Sequence, residues 1–169
     1  MTRRHATVPT GLGDLTMVAD GPALTGLYFP GHWHLPAAAE FGVAVPADDA
    51  VFAQTARELT EYLAGRRRDF DVEVVTDGDD FSERVWALLR GIPYGATTTY
   101  GALARRLGNP RLAQRVGQCV GRNPVSVLIP CHRVVGADGS LTGYAGGLDR
   151  KRRLLELEEP AETAVTRLF

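Results

Sequence analysis

The spacing of apolar residues changes near residue 76. Before that point, short apolar stretches alternate with Gly and Pro, whereas after it apolar residues recur at intervals of three and four. The first pattern is typical of strands joined by tight turns, and the second of amphipathic helices. The segment Thr76-Asp77-Gly78-Asp79 between them indicates a linker. We therefore expect an α/β (α+β) chain, with a β-rich scaffold domain at 1–76 and a mostly helical domain at 80–169.

The first domain is expected to contain a small sheet and one helix. Phe52, Leu59 and Tyr62 fall at helical spacing between Asp49 and Gly65, which supply start and stop signals. Residues of the strand type, bounded by turn residues, occur in four short stretches: 6–10, 14–19, 23–29 and 70–75.

The second domain is expected to begin with a helix at Asp80, which forms a capping-box pattern with Glu83. Two short helices should follow, the first capped by Thr98 or Thr99 and the second entered through the turn 108–110. This pattern predicts a helix-turn-helix, as in winged-helix-like DNA-binding domains. Cys119 falls on the inward face of the second helix, which favours a packing role.

Charge is unevenly distributed along the chain. The net charge is only -1, yet no acidic residue occurs in the segment 84–137, which holds eight arginines. Such a bias is consistent with a solvated basic face or with an anionic partner, and the predicted helix-turn-helix favours nucleic acid. No apolar run approaches the length of a membrane span, and the N-terminus lacks the apolar core of a signal peptide. We expect a cytoplasmic protein without a membrane partner.

The segment around Cys131 carries the strongest chemical signal. An apolar run leads into Pro130, then Cys131 and His132, and a second apolar run follows. A buried cysteine beside a histidine also occurs by chance. However, turn-forming residues surround this thiol on both sides, and a free thiol needs a neighbouring base to form the reactive thiolate. Cys131 is therefore a nucleophile candidate, with His132 as its base.

The last predicted helix, near 149–158 with Asp149 as its cap, adds a carboxylate. Glu158 falls on the same face as Leu154 and Leu155. A buried carboxylate at a helix C-terminus requires a partner, because burial and the helix dipole both disfavour its charge. Either Glu158 orients His132, as in a catalytic triad, or it is an unpaired glutamate on a frayed helix end.

The predicted second helix of the helix-turn-helix presents polar and small residues on its outer side. The small residues, four positions apart, permit a close approach either to another helix or to DNA, and the flanking arginines favour DNA. The proposed DNA contacts are Arg111, Ala113, Gln114, Arg115, Gly117, Gln118 and Arg122.

These residues together resemble the O6-alkylguanine-DNA alkyltransferases, also called methylated-DNA-protein-cysteine methyltransferases. The resemblance is dense over 80–160 and weak before it. The motifs that carry it are Pro130-Cys131-His132-Arg133, Arg122-Asn123-Pro124, Ile92-Pro93-Tyr94-Gly95, Thr99-Tyr100-Gly101, Gly143-Tyr144-Ala145-Gly146-Gly147-Leu148 and Leu154-Leu155-Glu156-Leu157-Glu158.

The resemblance implies repair of alkylated double-stranded DNA by direct reversal. The alkyl group of guanine O6 would pass irreversibly to Cys131, without a cofactor and with one turnover per molecule. It implies a relay from Cys131 through water to His132 and Glu158, with Asn123 bracing the adjacent turn. Tyr100 would assist the departing guanine. The base would be flipped out through the minor groove into a pocket formed by Val134, Tyr144 and Ala145.

The sequence departs from the family pattern at one position. Where the family carries an intercalating arginine, this chain has Gln114, and Arg115 lies one residue later. One residue rotates a side chain by about 100° around a helix, so we expect altered duplex binding and unchanged chemistry. Some relatives hold zinc in the N-terminal domain, but no cysteine precedes Cys119 here. We expect no metal, and place His32 and His34 in an exposed loop.

Three alternatives remain open from the sequence. Alkyltransferase-like proteins bind alkylated DNA without an acceptor cysteine, a transcription regulator would need only the helix-turn-helix, and a thiol hydrolase would use the same triad repeatedly. The sequence leaves open the range of alkyl groups, activity on O4-alkylthymine, the role of the N-terminal domain and cooperativity on DNA. We expect a monomer in solution.

Overall fold

The computed structural model describes residues 2–160 and begins with a four-stranded sheet. Its order is β3-β2-β1-β4, with β1 antiparallel to β2 and parallel to β4. Alternation places Leu15 and Met17 in the main core, whereas Val18 packs with Tyr28 and Phe41 on the opposite face. The strands are β1 (Arg3–Thr10), β2 (Gly13–Asp20), β3 (Ala23–Tyr28) and β4 (Val43–Ala44).

Helix α1 (Ala50–Leu63) covers one face of this sheet. The Asp49 side chain accepts a hydrogen bond from the Val51 amide, which caps the helix, and also pairs with Arg4 on β1. Phe52 and Tyr62 are fully buried on the inner face. The Arg4 pair therefore fixes the start of α1 on the sheet, and the apolar face orients its last turn toward the C-terminal half.

The predicted strand at 70–75 is wrong. Leu24 hydrogen-bonds to both Glu73 and Val75, but the pairing is a single bridge. The edge of β3 is shared between two segments, because Leu27 bonds to Pro124 instead. Neither segment continues along β3 far enough to form a strand.

The C-terminal half is mostly helical, which agrees with the predicted α+β class. Its helices are α2 (Asp80–Arg90), α3 (Tyr100–Arg106), α4 (Ala113–Gly121) and α5 (Leu148–Glu158). The strands β5 (Thr98–Thr99) and β6 (Val134–Val135) pair in parallel. The last nine residues of the predicted domain 80–169 lie outside the described residues.

Two predicted helix caps are wrong. Asp79, not Asp80, caps α2 through the Ser82 amide, and Glu83 binds the Thr76 hydroxyl instead of closing a capping box. Asp149 lies inside the first turn of α5, whose N-cap position is Gly147. That glycine has a φ of 92°, a left-handed conformation that side chains disfavour. The prediction for Thr99 is confirmed, since its hydroxyl accepts from the Ala102 amide.

One buried apolar cluster runs through both halves, joining the sheet, α1 and the C-terminal helices. Within residues 2–160, no helix is both long and apolar enough to cross a membrane. That same part of the chain holds no group of three or more His, Cys, Asp or Glu able to bind a metal ion.

Candidate active site

Cys131 begins a short turn (Cys131–Arg133) at the end of a buried loop. Asn123 holds this loop at two points: its side-chain amide donates to the Ile129 carbonyl at 2.7 Å, and its Oδ1 accepts from the Val125 amide at 3.0 Å. Between them Val127 has a φ of 74°, which is strained for a β-branched residue. Packing and the Asn123 bonds therefore fix a backbone that the sequence alone disfavours.

The structure places Glu158 in a buried network behind Cys131. Its Oε2 lies 2.9 Å from His132 Nε2 and accepts from Arg133 Nη2 at 2.8 Å. Its Oε1 accepts from Arg133 Nε at 2.7 Å. The Tyr62 hydroxyl of α1 also donates to Oε2, at 2.5 Å. A buried carboxylate at the end of α5 is thus stabilised by a charged pair and two further hydrogen bonds.

The protonation states of this network follow from its contacts. Burial favours the neutral form of Glu158, but hydrogen bonds from His132 and Arg133 outweigh it and lower its pKa to about 2. Burial also lowers the pKa of His132, against the opposing effect of Glu158. Since Arg133 already supplies the counter-charge, the network holds an ionised Glu158 and a neutral His132 at neutral pH. A neutral imidazole can accept a proton.

Cys131 is 4% exposed, and burial raises the pKa of its thiol. Hydrogen bonding to Asn123 and the charge of Lys151 oppose that effect. The Lys151 ammonium is itself buried and donates to the Val134 carbonyl at 2.7 Å and to the Thr142 carbonyl at 3.1 Å. The resting thiol therefore keeps its proton, and its activation requires a base.

A cleft of about 260 Å³ opens directly onto Cys131. Tyr100 lies on one wall, where its hydroxyl is 2.7 Å from the Thr142 hydroxyl. Larger depressions of about 500 and 720 Å³ lie elsewhere on the surface and do not reach the thiol. The cleft is lined by Trp33, His34, Tyr100, Gly117, Gln118, Val120, Gly121, Cys131, Gly143, Tyr144 and Ala145.

The predicted DNA-contact residues lie on or next to α4, and two of them reach the cleft. Gly117 and Gln118 line the cleft. Arg115 lies over the Phe81 ring of α2, with its guanidinium carbon 3.9 Å from the ring centroid. The members exposed to solvent are Arg111, Gln114, Arg115, Gln118 and Arg122, and Ala113 and Gly117 are half-buried.

Two of the three predicted pocket residues line the cleft. Tyr144 and Ala145 line the cleft, but Val134 does not, and its carbonyl is bound by Lys151. The expectation for His32 is wrong, since it is buried and its Nδ1 accepts from the Phe29 amide at 3.2 Å. His34 is exposed, as expected.

Four residues close to the site were missed from the sequence. Tyr62 and Trp33 arrive from the N-terminal half through long-range packing, which local periodicity does not encode. Arg133 lies inside the recognised motif, and its contact with a carboxylate could have been inferred once Glu158 was judged to need a partner. Lys151 lies on the buried face of α5, and a lysine at such a position is a signal that could have identified it.

Two family models match the chain. The 6-O-methylguanine DNA methyltransferase, ribonuclease-like domain, matches residues 4–76, and the DNA binding domain of the same name matches residues 80–160. The methylated-DNA–protein-cysteine methyltransferases of Mycobacterium tuberculosis and Mycobacterium bovis are each 41% identical over 165 residues, which is 98% of this chain and 98% of theirs. The Methanosarcina acetivorans protein of that name is 47% identical over 111 residues, 66% of this chain and 71% of its own.

Solved structures agree with these matches. The crystal structure of Mycobacterium tuberculosis O6-methylguanine methyltransferase has a TM-score of 0.81 and 38% identity, covering 97% of this chain and 99% of its own. The structure of Mycobacterium tuberculosis OGT in complex with DNA has a TM-score of 0.83 and 39% identity, covering 96% and 99%. On sequence and fold together, the chain belongs to the methylated-DNA–protein-cysteine methyltransferase family.

Proposed function

We propose that this protein repairs alkylated DNA by moving an alkyl group from guanine O6 to the sulfur of Cys131. The observation that carries this proposal is the position of Cys131 at a cleft, with His132, Glu158 and Arg133 forming a buried network behind it. Its membership of the methyltransferase family supports an alkyl transfer on DNA. A thiolate suits this step because sulfur is a strong nucleophile toward carbon.

The transfer begins with removal of the thiol proton. His132 Nδ1 is buried and has no hydrogen-bond partner among residues 2–160, which supports a bridging water between it and Cys131. The proton passes through this water to His132, and Glu158 stabilises the resulting imidazolium. The relay is thus Cys131, water, His132 and Glu158, with Asn123 holding the loop that carries the thiol.

The thiolate then attacks the alkyl carbon. A sulfur–carbon bond forms as the carbon–O6 bond breaks, and the electron pair of that bond passes to the purine. The Tyr100 hydroxyl donates a hydrogen bond to guanine N3 and so stabilises the departing base. The Thr142 hydroxyl at 2.7 Å supports this role, because it can donate to the Tyr100 oxygen and leave the phenol hydrogen free. The thioether is stable, so each molecule reacts once.

Access to the base requires its extrusion from the duplex. The outer face of α4 carries Gln114 and Gln118, with Arg111 just before the helix and Arg122 just after it. The same helix lines the cleft with Gly117. We therefore place α4 in the minor groove, as the second helix of the predicted helix-turn-helix, with the flipped base entering past Gly117. Extrusion costs a few kcal/mol, and less for a weakened alkylated pair.

The backbone around Cys131 and Ala145 reads the base edge in this proposal, with Tyr144 forming part of the wall. We also propose that residues 1–76 act mainly as a scaffold and that 80–169 carry catalysis and DNA binding. One monomer should repair one lesion. A duplex with O4-methylthymine in place of O6-methylguanine tests whether O4-alkylthymine is also a substrate.

The decisive test is incubation with a duplex that contains one O6-methylguanine, followed by intact mass and peptide mapping. We expect a single added methyl group, located on Cys131 and absent in Cys131→Ser. Cys119→Ser is the matched control, because this second free thiol is also buried but packs against α2. An unmodified Cys131 in folded, reduced protein would contradict the proposal.

A further inference from the structure

Tyr62 connects the N-terminal half to the carboxylate of the relay. It lies on the last turn of α1 and is 1% exposed, and its hydroxyl donates to Glu158 Oε2 at 2.5 Å. We propose that Tyr62 is a positioning residue for the transfer reaction, which holds Oε2 toward His132 and shares its negative charge. This inference rests on the proposed function and gives the N-terminal half a part in the reaction beyond that of a scaffold.

Three hydrogen-bond donors meet at one carboxylate oxygen of Glu158. Oε2 faces Tyr62, His132 and Arg133, at 2.5, 2.9 and 2.8 Å. Each hydrogen bond to an ionised oxygen disperses part of its negative charge, so less of that charge acts on the other donors. Without the Tyr62 hydroxyl, Glu158 should stabilise the imidazolium of His132 more strongly. The proton would then leave Cys131 at a lower pH.

The other charged and titratable groups around Glu158 make different contacts. Tyr94, from the segment after α2, donates to the Leu157 carbonyl at 3.2 Å and lies beneath the Arg68 guanidinium. Lys151 of α5 acts on Cys131 and His132. The same surface depression as Glu158 is also lined by Arg152 and Glu156 of α5 and by Glu159 directly after the helix. Among the described residues, the side chains that hydrogen-bond to Oε2 are those of Tyr62, His132 and Arg133.

The test is Tyr62→Phe, with the rate of Cys131 alkylation by iodoacetamide measured against pH by peptide mass. We expect the midpoint of the profile to fall by about 0.5 pH units. Methyl transfer from O6-methylguanine duplex should be slower above the midpoint, because a thiolate of lower pKa is a weaker nucleophile. Tyr94→Phe is the matched control, because it also removes a hydroxyl bonded to the end of α5. Its midpoint should not move.

A purely structural role for Tyr62 would lower the rate at every pH without moving the midpoint, and that result would overturn the proposal. If Tyr62→Phe does not fold, site-specific 3,5-difluorotyrosine at position 62 keeps the shape and donates more strongly, so the midpoint should rise. An unchanged midpoint in the difluorotyrosine protein would also overturn the proposal. The iodoacetamide profile needs no DNA, so failure of the wild type to demethylate DNA would count against the proposed function alone.

Trp33, in the segment after β3, is a large apolar side chain that is 55% exposed. Its backbone amide donates to the Ala145 carbonyl at 3.1 Å, and its indole lies beside Gly143, so the segment after β3 reaches across the cleft. Trp33 lines the cleft together with Cys131 and Tyr144. The geometry points to Trp33 as a specificity-determining residue, against which O6 substituents larger than methyl pack.

An aromatic substituent should benefit most, because aromatic pairs are stabilised beyond the area that they bury. In the same duplex, Trp33→Ala should lower the rate of benzyl transfer about fivefold relative to methyl transfer. Leu35→Ala is the matched control, since Leu35 is equally exposed on the same segment but does not line the cleft. An unchanged ratio of benzyl to methyl rates would overturn this assignment.

A binding measurement keeps this assignment independent of the transfer step. In Cys131→Ser, free O6-benzylguanine should quench tryptophan fluorescence, and the quenching should disappear in Cys131→Ser/Trp33→Ala. The other tryptophan, Trp86, is buried on α2 and supplies a constant background. Equal quenching in both proteins would exclude contact with Trp33 even if the transfer reaction itself fails.

Discussion

At the scale of single residues, Arg133 decides how the buried Glu158 behaves. Its guanidinium donates to both carboxylate oxygens of Glu158, so the ion pair within the network is Arg133 with Glu158. It also donates to the Ile92 carbonyl, which anchors it to the segment after α2. Because the carboxylate is already neutralised, His132 can remain uncharged until a proton arrives. One arginine thus makes the buried acid stable and the neighbouring base available.

Substitution of Glu158 should therefore affect stability and reactivity together. In Glu158→Gln, Arg133 remains buried without its counter-charge, so we expect the free energy of unfolding to fall by about 3 kcal/mol. Alkylation of Cys131 should also slow, because the imidazolium loses its partner. Urea denaturation and iodoacetamide labelling measure the two effects. Glu156→Gln, on the exposed side of α5, should change stability by less than about 0.5 kcal/mol; similar values for both variants would contradict this account.

At the scale of elements, α4 is fixed in rotation by its packing on α2. Val116 and Val120 are buried on its inner face, and Arg115 lies over Phe81. Arg115 is therefore engaged with α2 and cannot take the place of a side chain at 114 without giving up that contact. The structure gives a physical basis for the expectation that Gln114 alters DNA binding.

Gln114→Arg should strengthen binding to methylated duplex about three- to tenfold at low salt, because it adds one cation on the side of α4 that we propose faces DNA. Reaction with free O6-methylguanine should be unchanged, since that substrate needs no duplex contact. Fluorescence anisotropy and peptide mass report the two quantities. Thr60→Arg adds the same charge at an exposed position of α1 and should give a smaller gain in duplex affinity. Equal gains on duplex and free base would rule out the proposed contact.

Local periodicity predicted the elements well and their long-range contacts poorly. The spacing of Phe52, Leu59 and Tyr62 predicted α1, because a buried helical face repeats along the chain. It could not show that Tyr62 meets Glu158, 96 residues later. The strand expected at 70–75 failed because β3 shares its edge between two segments, which alternation cannot reveal. His32 was placed in solvent because a polar sequence does not disclose packing against Phe29.

At the scale of the whole molecule, buried histidines couple folding to pH. Burial, with the charges of His34 and Arg150, lowers the pKa of His32 to about 4, and burial lowers that of His132 as well. Below about pH 6.5 the unfolded chain gains protons that the folded chain does not, so the free energy of unfolding decreases as the pH is lowered. Glu158 acts in a lower window, since its stabilisation persists until the pH drops below about 4.5.

The free energy of unfolding should therefore fall between pH 7 and pH 5, by about 2 kcal/mol from His32 alone. His132 should add to this loss. His32→Asn should reduce this loss, because a side-chain oxygen can still accept from Phe29 without titrating. His34→Asn is the control on the same loop, where the side chain is exposed. Urea denaturation at both pH values measures the difference, and an identical pH dependence in wild type and His32→Asn would exclude this role for His32.

The reaction itself should alter the stability of the whole protein. Cys131 is 4% exposed and its turn is held by Asn123 and by the buried loop before it. A methyl group on the sulfur adds volume to this packed site, and overpacking costs about 1–3 kcal/mol. We expect the methylated protein to melt at a lower temperature than the unreacted one. Treatment with unmodified duplex, followed by its removal, controls for DNA exposure, and equal melting temperatures would show that the site accommodates the methyl group without strain.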